Sequence, residues 1–291
     1  MALQGYLAGI YRSVGRTVGT TVKQNLLDDP GFESGTLTSW SDTGTVVAQS
    51  GGSRGGSGFV AKGTDAGTGA SLSQTVTLAS ALASDVACVA KVWAKMQTGK
   101  SALLTVVFKD DADDTLATKT MTITSTPSYS ENGWGLWSMR ITAPEDTKKI
   151  VYTFSSNADQ TWYIDDCGLM LLQQILGATG ELSASITVQT QDITTFASAA
   201  ANSGFRSHYP VLRSGETITV RTFWSTDDTY QITEQEPVYV LLYVNTTTHE
   251  RWEFWAYISG ITQRFPLEGV REGDLTLTVE GDVGFTSAVA N

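Results

Sequence analysis

The sequence predicts an all-β protein of two domains, and three features carry the prediction. Apolar residues recur with a period of two in many short runs, as in Val86, Cys88, Ala90, Val92, Ala94 and Met96, the mark of strands with one face in a core. Glycine and threonine are abundant and gather in turn-rich segments such as Gly63-Thr64-Asp65-Ala66-Gly67 and Thr98-Gly99-Lys100. The length, 291 residues, leaves room for two domains with a core each.

In chain order, Tyr6 to Val18 alternates weakly up to Gly19 and reads as a first strand, which must pair with a later one; Leu182 to Gln189 and Leu275 to Val279 are candidates. Further strands are expected at 58–62, 70–78, 86–96, 102–109, 116–123, 134–141, 149–155 and 161–169. In 86–96 the even-numbered residues form the core face, so Lys91, Trp93 and Lys95 stand on the other side. The bridge Leu169 to Gly177 is apolar enough to be packed. Next come alternating strands at Ile186–Val188 and Ile218–Thr222, separated by a segment too long for a simple turn. Asp227 to Glu236 is helix-compatible and stopped by Pro237. Val238 to Val244 reads as a fully buried strand, Glu250 to Ser259 as its partner and Asp274 to Glu280 as the last. In 250–259, Arg251, Glu253, Trp255 and Tyr257 share a face whose two aromatic residues suit a subunit interface.

A formal net charge of −11 disfavours a general nucleic-acid binder. No apolar run reaches membrane-spanning length, and the start lacks the pattern of a secretion signal, so the chain is expected to be cytoplasmic at synthesis. Two cysteines, Cys88 and Cys167, and two histidines give no zinc-type cluster, and buried free thiols are the expected state. Gly51 to Gly58 lacks the Gly-Lys-Ser/Thr ending of a phosphate loop, and Asp110 to Asp114 lacks the glycine and final glutamate of an EF-hand. Ser207-His208 has no evident acid partner, so no enzyme is expected.

The run Asn25-Leu26-Leu27, then Pro30-Gly31-Phe32-Glu33-Ser34-Gly35 and Trp40, together with Tyr163-Ile164-Asp165-Asp166, resembles the opening and closing strands of the xylanase/cellulase-type carbohydrate-binding modules. The resemblance covers Asn25 to about Leu171 and implies a jelly-roll β-sandwich with its terminal strands side by side. It also implies a structural calcium ion held by Glu33, Asp165 and Asp166, hard oxygen ligands converging from two strands. The plainer alternative is that these carboxylates are solvated or paired with Arg54. Trp93, Trp134 and Trp137 could stack on a sugar, although a sandwich of this size buries several aromatic residues in any case.

A second resemblance rests on Asp192-Ile193-Thr194-Thr195-Phe196, Gly204-Phe205-Arg206-Ser207-His208-Tyr209-Pro210 and the strand after Gly215. It is to the major tail tube proteins of long-tailed bacteriophages, over about Thr179 to Thr286. It implies a tail-tube-type β-sandwich or barrel domain, residues 1–23 with 173–291, into which the jelly roll, 24–172, is inserted after the first strand. It further implies a virion structural protein, assembled in the host cytoplasm into hexameric, stacked rings. Phe196, Phe205, Arg206, Tyr209, Trp255 and Tyr257 would make the intersubunit contacts, other tail proteins would be partners, and DNA would slide through an acidic lumen without specific binding. The inserted module would face outward, toward host-surface glycans. The alternatives are a carbohydrate-binding module of a secreted bacterial protein and a capsid or baseplate decoration protein.

Overall fold

The computed structural model describes residues 10–54, 58–65, 67, 69–126, 129–131, 133–156, 159–174, 183–186, 189–192, 208–211, 217–223, 237–245, 250–264 and 272–286. Within them the protein is all-β, with no helix. It forms two compact units, Ser13–Gln173 with Phe285–Asn291, and Met1–Arg12 with Gln174–Gly284.

The first of these is a sandwich of two antiparallel sheets. One sheet has the order β5 (Thr45–Ser50), β6 (Phe59–Asp65), β14 (Gln160–Gln174), β8 (Val86–Lys95), β12 (Trp134–Ala143), β11 (Tyr129–Glu131). The other runs β10 (Thr115–Thr124), β9 (Ser101–Lys109), β13 (Lys149–Ser156), β7 (Ala70–Thr77), β4 (Ser41–Thr43). Period-two alternation sends Leu72, Leu104, Val106, Phe108, Ile150, Tyr152 and Phe154 of the second sheet inward onto Cys88, Ala90, Val92, Trp162 and Ile164 of the first. Gly63 is required by this core, because a Cβ there would collide with the Trp162 indole. Trp162 in turn lies 4.9 Å from the Phe154 ring.

Residues 13–23, expected to go with the other domain, fold against the jelly roll. The ribbon β2 (Arg16–Val18) and β3 (Thr21–Lys23) bridges Val18 to Leu78, and Ala79 N–H donates to the Thr17 carbonyl at 2.9 Å. The opening and closing segments of the sandwich are bonded directly, Leu26 N–H to Leu169 carbonyl at 2.9 Å. Of the apolar stretch 169–177 expected to be a packed bridge, 169–174 are the end of β14, with Leu169, Met170, Leu171 and Leu172 buried, and 175–177 lie outside the described residues. Cys88 and Cys167 are free, buried thiols, and burial pushes both pKa values well up.

The second unit holds a sheet in the order β1 (Ile10–Ser13), β19 (Val238–Asn245), β20 (Glu250–Arg264), β21 (Glu272–Thr286), β18 (Thr217–Phe223), β15 (Ser183–Ile186), plus a ribbon of β16 (Gln189–Asp192) and β17 (His208–Val211). The first strand pairs neither of the partners expected from sequence. Ile10, Tyr11 and Arg12 lie opposite Leu242, Leu241 and Val240 of β19. That strand lies inside the sheet, hydrogen-bonded to β1 on one edge and β20 on the other, so each edge has its backbone groups paired. Val238, Val240, Leu242, Phe254, Ala256, Leu277 and Val279 form the core of this unit. The helix-compatible stretch 227–236 lies outside the described residues.

Candidate functional site

The candidate site is the outer face of the six-stranded sheet, and it starts from a bulge in β14. Opposite β8, Asp165 pairs with Trp93 and Gly168 with Lys91, so Asp166 and Cys167 together oppose Val92 and the bulge adds one residue, with Asp166 at φ 44°. A bulge frees backbone groups that must find partners. Asn25 supplies them: its Nδ2 donates to the Cys167 carbonyl at 3.0 Å and its Oδ1 accepts from Leu169 N–H at 3.1 Å. Cys167 N–H donates to the Pro30 carbonyl at 2.9 Å. These contacts give the opening Asn-Leu-Leu run its structural purpose.

The bulge also turns two carboxylates toward Arg54. The Arg54 backbone N–H donates to Asp165 Oδ2 at 2.9 Å, and its Nε and Nη2 both reach Asp166 Oδ2 at 2.8 Å. The guanidinium lies 4.5 Å above the Trp93 ring. Asp165 is 3 % exposed. Its burial, then the neighbouring Asp166 charge, push its pKa up to about 7, against smaller opposing contributions from the Arg54 and Asp166 N–H groups and the guanidinium.

The three residues expected to hold calcium surround Gly31. A Cβ there would lie 3.6 Å from Asp166 Oδ1, 3.7 Å from Glu33 Cγ and 3.8 Å from Asp165 Oδ1. Their chemistry suits a hard cation. As placed they do not converge: among the described residues no three acidic, histidine or cysteine side chains are grouped to hold a metal. The pairing with Arg54, weighed as the plainer alternative, is the arrangement found for Asp166.

The tryptophans expected to stack on sugar are placed differently. Trp93 (3 % exposed) and Trp134 (4 %) do stand on the outer face, but they are packed with Val60 and Leu136 into a small apolar cluster, and Arg54 covers Trp93. Trp137 faces the sandwich core and packs against it. None of the three therefore offers an open ring face. Among the described side chains of this surface, the aromatic group that remains half-exposed is Tyr163, which packs against the edge of the cluster.

Sequence reading passed over Tyr163 and its neighbours. Tyr163 lies opposite Lys62 of β6 on one side and Lys95 of β8 on the other, and Lys62 lies opposite Val47 of β5. One row across four strands thus reads Val47, Lys62, Tyr163, Lys95. Val47 is 48 % exposed, Lys95 is exposed and Lys62 half-exposed, with its Nζ 5.8 Å from the Tyr163 ring centroid. Alternation in 86–96 put Lys95 on the right face. The cross-strand partners lie too far away in sequence for local periodicity to find them.

No protein-family model and no curated protein matches the chain. Among solved structures, the enzymatically active domain of bacteriophage CBA120 tailspike protein 4 is similar at 17 % identity and a TM-score of 0.41, over 50 % of this chain and 21 % of that one. This chain thus spans about a fifth of that protein's length. TmCBM61, solved in complex with β-1,4-galactotriose, is similar at 22 % identity and a TM-score of 0.40, over 51 % of this chain and 99 % of that one. The CBM22-1 xylan-binding domain of Paenibacillus barcinonensis Xyn10C is similar at 17 % identity and a TM-score of 0.34, over 48 % of this chain and 90 % of that one. What these proteins bind or cleave is theirs.

The tail-tube expectation finds no support in these comparisons. Phe196, Phe205 and Arg206 lie outside the described residues; Tyr209 is on β17 with its backbone opposite Gln191, and its side chain is not described. On β20, two members of the face expected to meet another subunit are buried within the chain. Arg251 and Glu253 are each 2 % exposed, Arg251 Nε donates to Glu253 Oε1 at 2.7 Å and Tyr239 OH donates to Glu253 Oε2 at 2.6 Å. Trp255 is half-buried against Tyr239, and Tyr257 is 38 % exposed.

Proposed function

We propose that the jelly-roll unit is a non-catalytic carbohydrate-binding module whose glycan lies across the outer face of the six-stranded sheet. The observation that carries this reading is the row Val47, Lys62, Tyr163, Lys95, where a half-exposed aromatic ring is flanked by hydrogen-bond donors. A sugar presents an apolar ring face and a rim of hydroxyls, and such a row offers a surface for each. The same reading draws on the sequence resemblance at both ends of the module, residues 25–40 and 163–166. Affinity electrophoresis of the full chain against soluble plant and bacterial polysaccharides tests it. At least one polymer should retard the protein, and Tyr163→Ala, with its cooperative melt intact, should remove the retardation. Unretarded migration with every polymer, or an unaltered Tyr163→Ala, would overturn it.

Calcium at Glu33, Asp165 and Asp166 is part of the proposal, drawn from the resemblance at both ends of the module and from the Asp165 and Asp166 oxygens beside Gly31; the Glu33 carboxylate lies against Gly58 and must turn to join them. A ligand that binds only the folded state stabilises by mass action. Added calcium should therefore raise the melting temperature, chelation should reverse the rise, and Glu33→Gln should blunt it. A melt indifferent to both would remove the metal.

A further inference from the structure

We infer that the glycan bound by this face is an acidic one, with uronate carboxylates spaced along the chain; this rests on the reading that the face binds glycan at all. In a chain of net charge −11, the outer face of the six-stranded sheet gathers cations. Register and alternation put Lys62, Lys91, Lys95 and Arg140 there, and the Arg54 guanidinium lies over it. Its described outward carboxylates, Asp165 and Asp166, are already engaged by Arg54. Lys62 and Lys95 make no ion pair with a carboxylate among the described residues, and they lie in register on either side of the half-exposed Tyr163. Their Cα atoms stand two strand spacings apart, roughly 10 Å. A sugar seated at Tyr163 would thus meet the Lys62 ammonium, 5.8 Å from the ring centroid, and, extending across β8, the Lys95 ammonium beside Gly133.

The neighbouring outward row, Thr45, Thr64 and Thr161, offers hydroxyls that donate and accept for any glycan, and what Lys62 and Lys95 add beside it is charge. Two ammonium groups with no carboxylate partner among the described residues, near an aromatic plate, are matched by carboxylates carried on the sugar rings. The protein's overall negative charge would repel a polyanion at long range, so the attraction must be local and salt-sensitive.

The test measures affinity of the full chain for polygalacturonate, for the same polymer with its carboxyls methyl-esterified, for neutral β-1,4-galactan and for polyglutamate. Polygalacturonate should bind at least ten-fold tighter than its ester. Lys62→Gln combined with Lys95→Gln should lose at least ten-fold for polygalacturonate with an unchanged melt, and Lys62→Arg with Lys95→Arg should keep it. Equal binding of acid and ester, or an indifferent double glutamine variant, would overturn the inference. If galactan binds and polygalacturonate does not, the glycan reading stands and this inference falls; if nothing binds, the glycan reading itself has failed. Polyglutamate binding as tightly as polygalacturonate would show a bare cationic patch.

Discussion

On the outer face of the five-stranded sheet, one cross-strand row reads Thr120, Thr105, Thr153, Ser73, Ser41. On the outer face of the six-stranded sheet the corresponding row reads Val47, Lys62, Tyr163, Lys95. Both sheets use the same period-two alternation and bury the same kind of inner face. The Ser/Thr face satisfies itself, with Thr105 and Thr120 hydroxyls 3.3 Å apart and Ser73 Oγ donating to the Ser41 carbonyl at 3.3 Å. The other face carries a bulge, a buried carboxylate, a guanidinium over an indole and two lysines with no carboxylate partner described. Departures from a self-satisfied sheet surface point to a function, and they gather on one side of the sandwich.

The largest effect should come from the core that both sheets share. Trp162→Ala should cost about 3–5 kcal/mol in urea unfolding, since it empties a large fully buried site. A loss under about 1 kcal/mol would mean that the two sheets do not share that core.

Next comes the bulge. Asp165 has a pKa of about 7 in the folded chain because of burial and Asp166, against about 3.9 when unfolded. The folded value is the higher one, so this contribution to stability is complete below about pH 4 and is lost as pH rises to 7. At about 1.4 kcal/mol per pH unit, discounted for relaxation around the site, the swing should be about 2–4 kcal/mol without added divalent cation. Asp165→Asn should flatten the profile. A wild-type melting temperature that rises between pH 4 and 7 would contradict the assignment.

Arg54→Met should cost about 1–2 kcal/mol, because the pair with Asp166 is partly exposed. It should also shift tryptophan emission to the red as Trp93 is uncovered. Stability loss without a shift would mean that Arg54 is not what closes that ring off. Smallest of all, Thr153→Ala on the Ser/Thr face should stay within about 0.5 kcal/mol of wild type and leave glycan binding alone.

Much of the strand layout was legible in sequence. β7, β8, β9, β10, β12 and β13 begin and end within two residues of their expected limits, because the apolar inner face of each recurs at every second residue, even where, as in β8, the outer face is buried too. The short strands β4 and β5 were not anticipated; β4 is exposed throughout and carries no apolar period. The pairing of β1 with β19 was missed because partner choice between strands depends on which edges remain to be paired, a non-local quantity. The site was legible by residue type and not by exposure. Trp93 was placed on the correct face, yet its cover comes from Arg54, 39 positions earlier in the chain, and Tyr163 acquires its lysines from strands about 70 and 100 residues away in sequence.

Lysine footprinting tests the contrast between the two faces most directly. Reductive methylation of the full chain with and without a retarding polysaccharide, read by peptide mass spectrometry, compares Lys62 and Lys95 with Lys109 and Lys149 of the other sheet. The account predicts that glycan protects Lys62 and Lys95 several-fold and leaves Lys109 and Lys149 unchanged. Protection of Lys109 and Lys149 with Lys62 and Lys95 still reactive would place the ligand on the Ser/Thr face and contradict it.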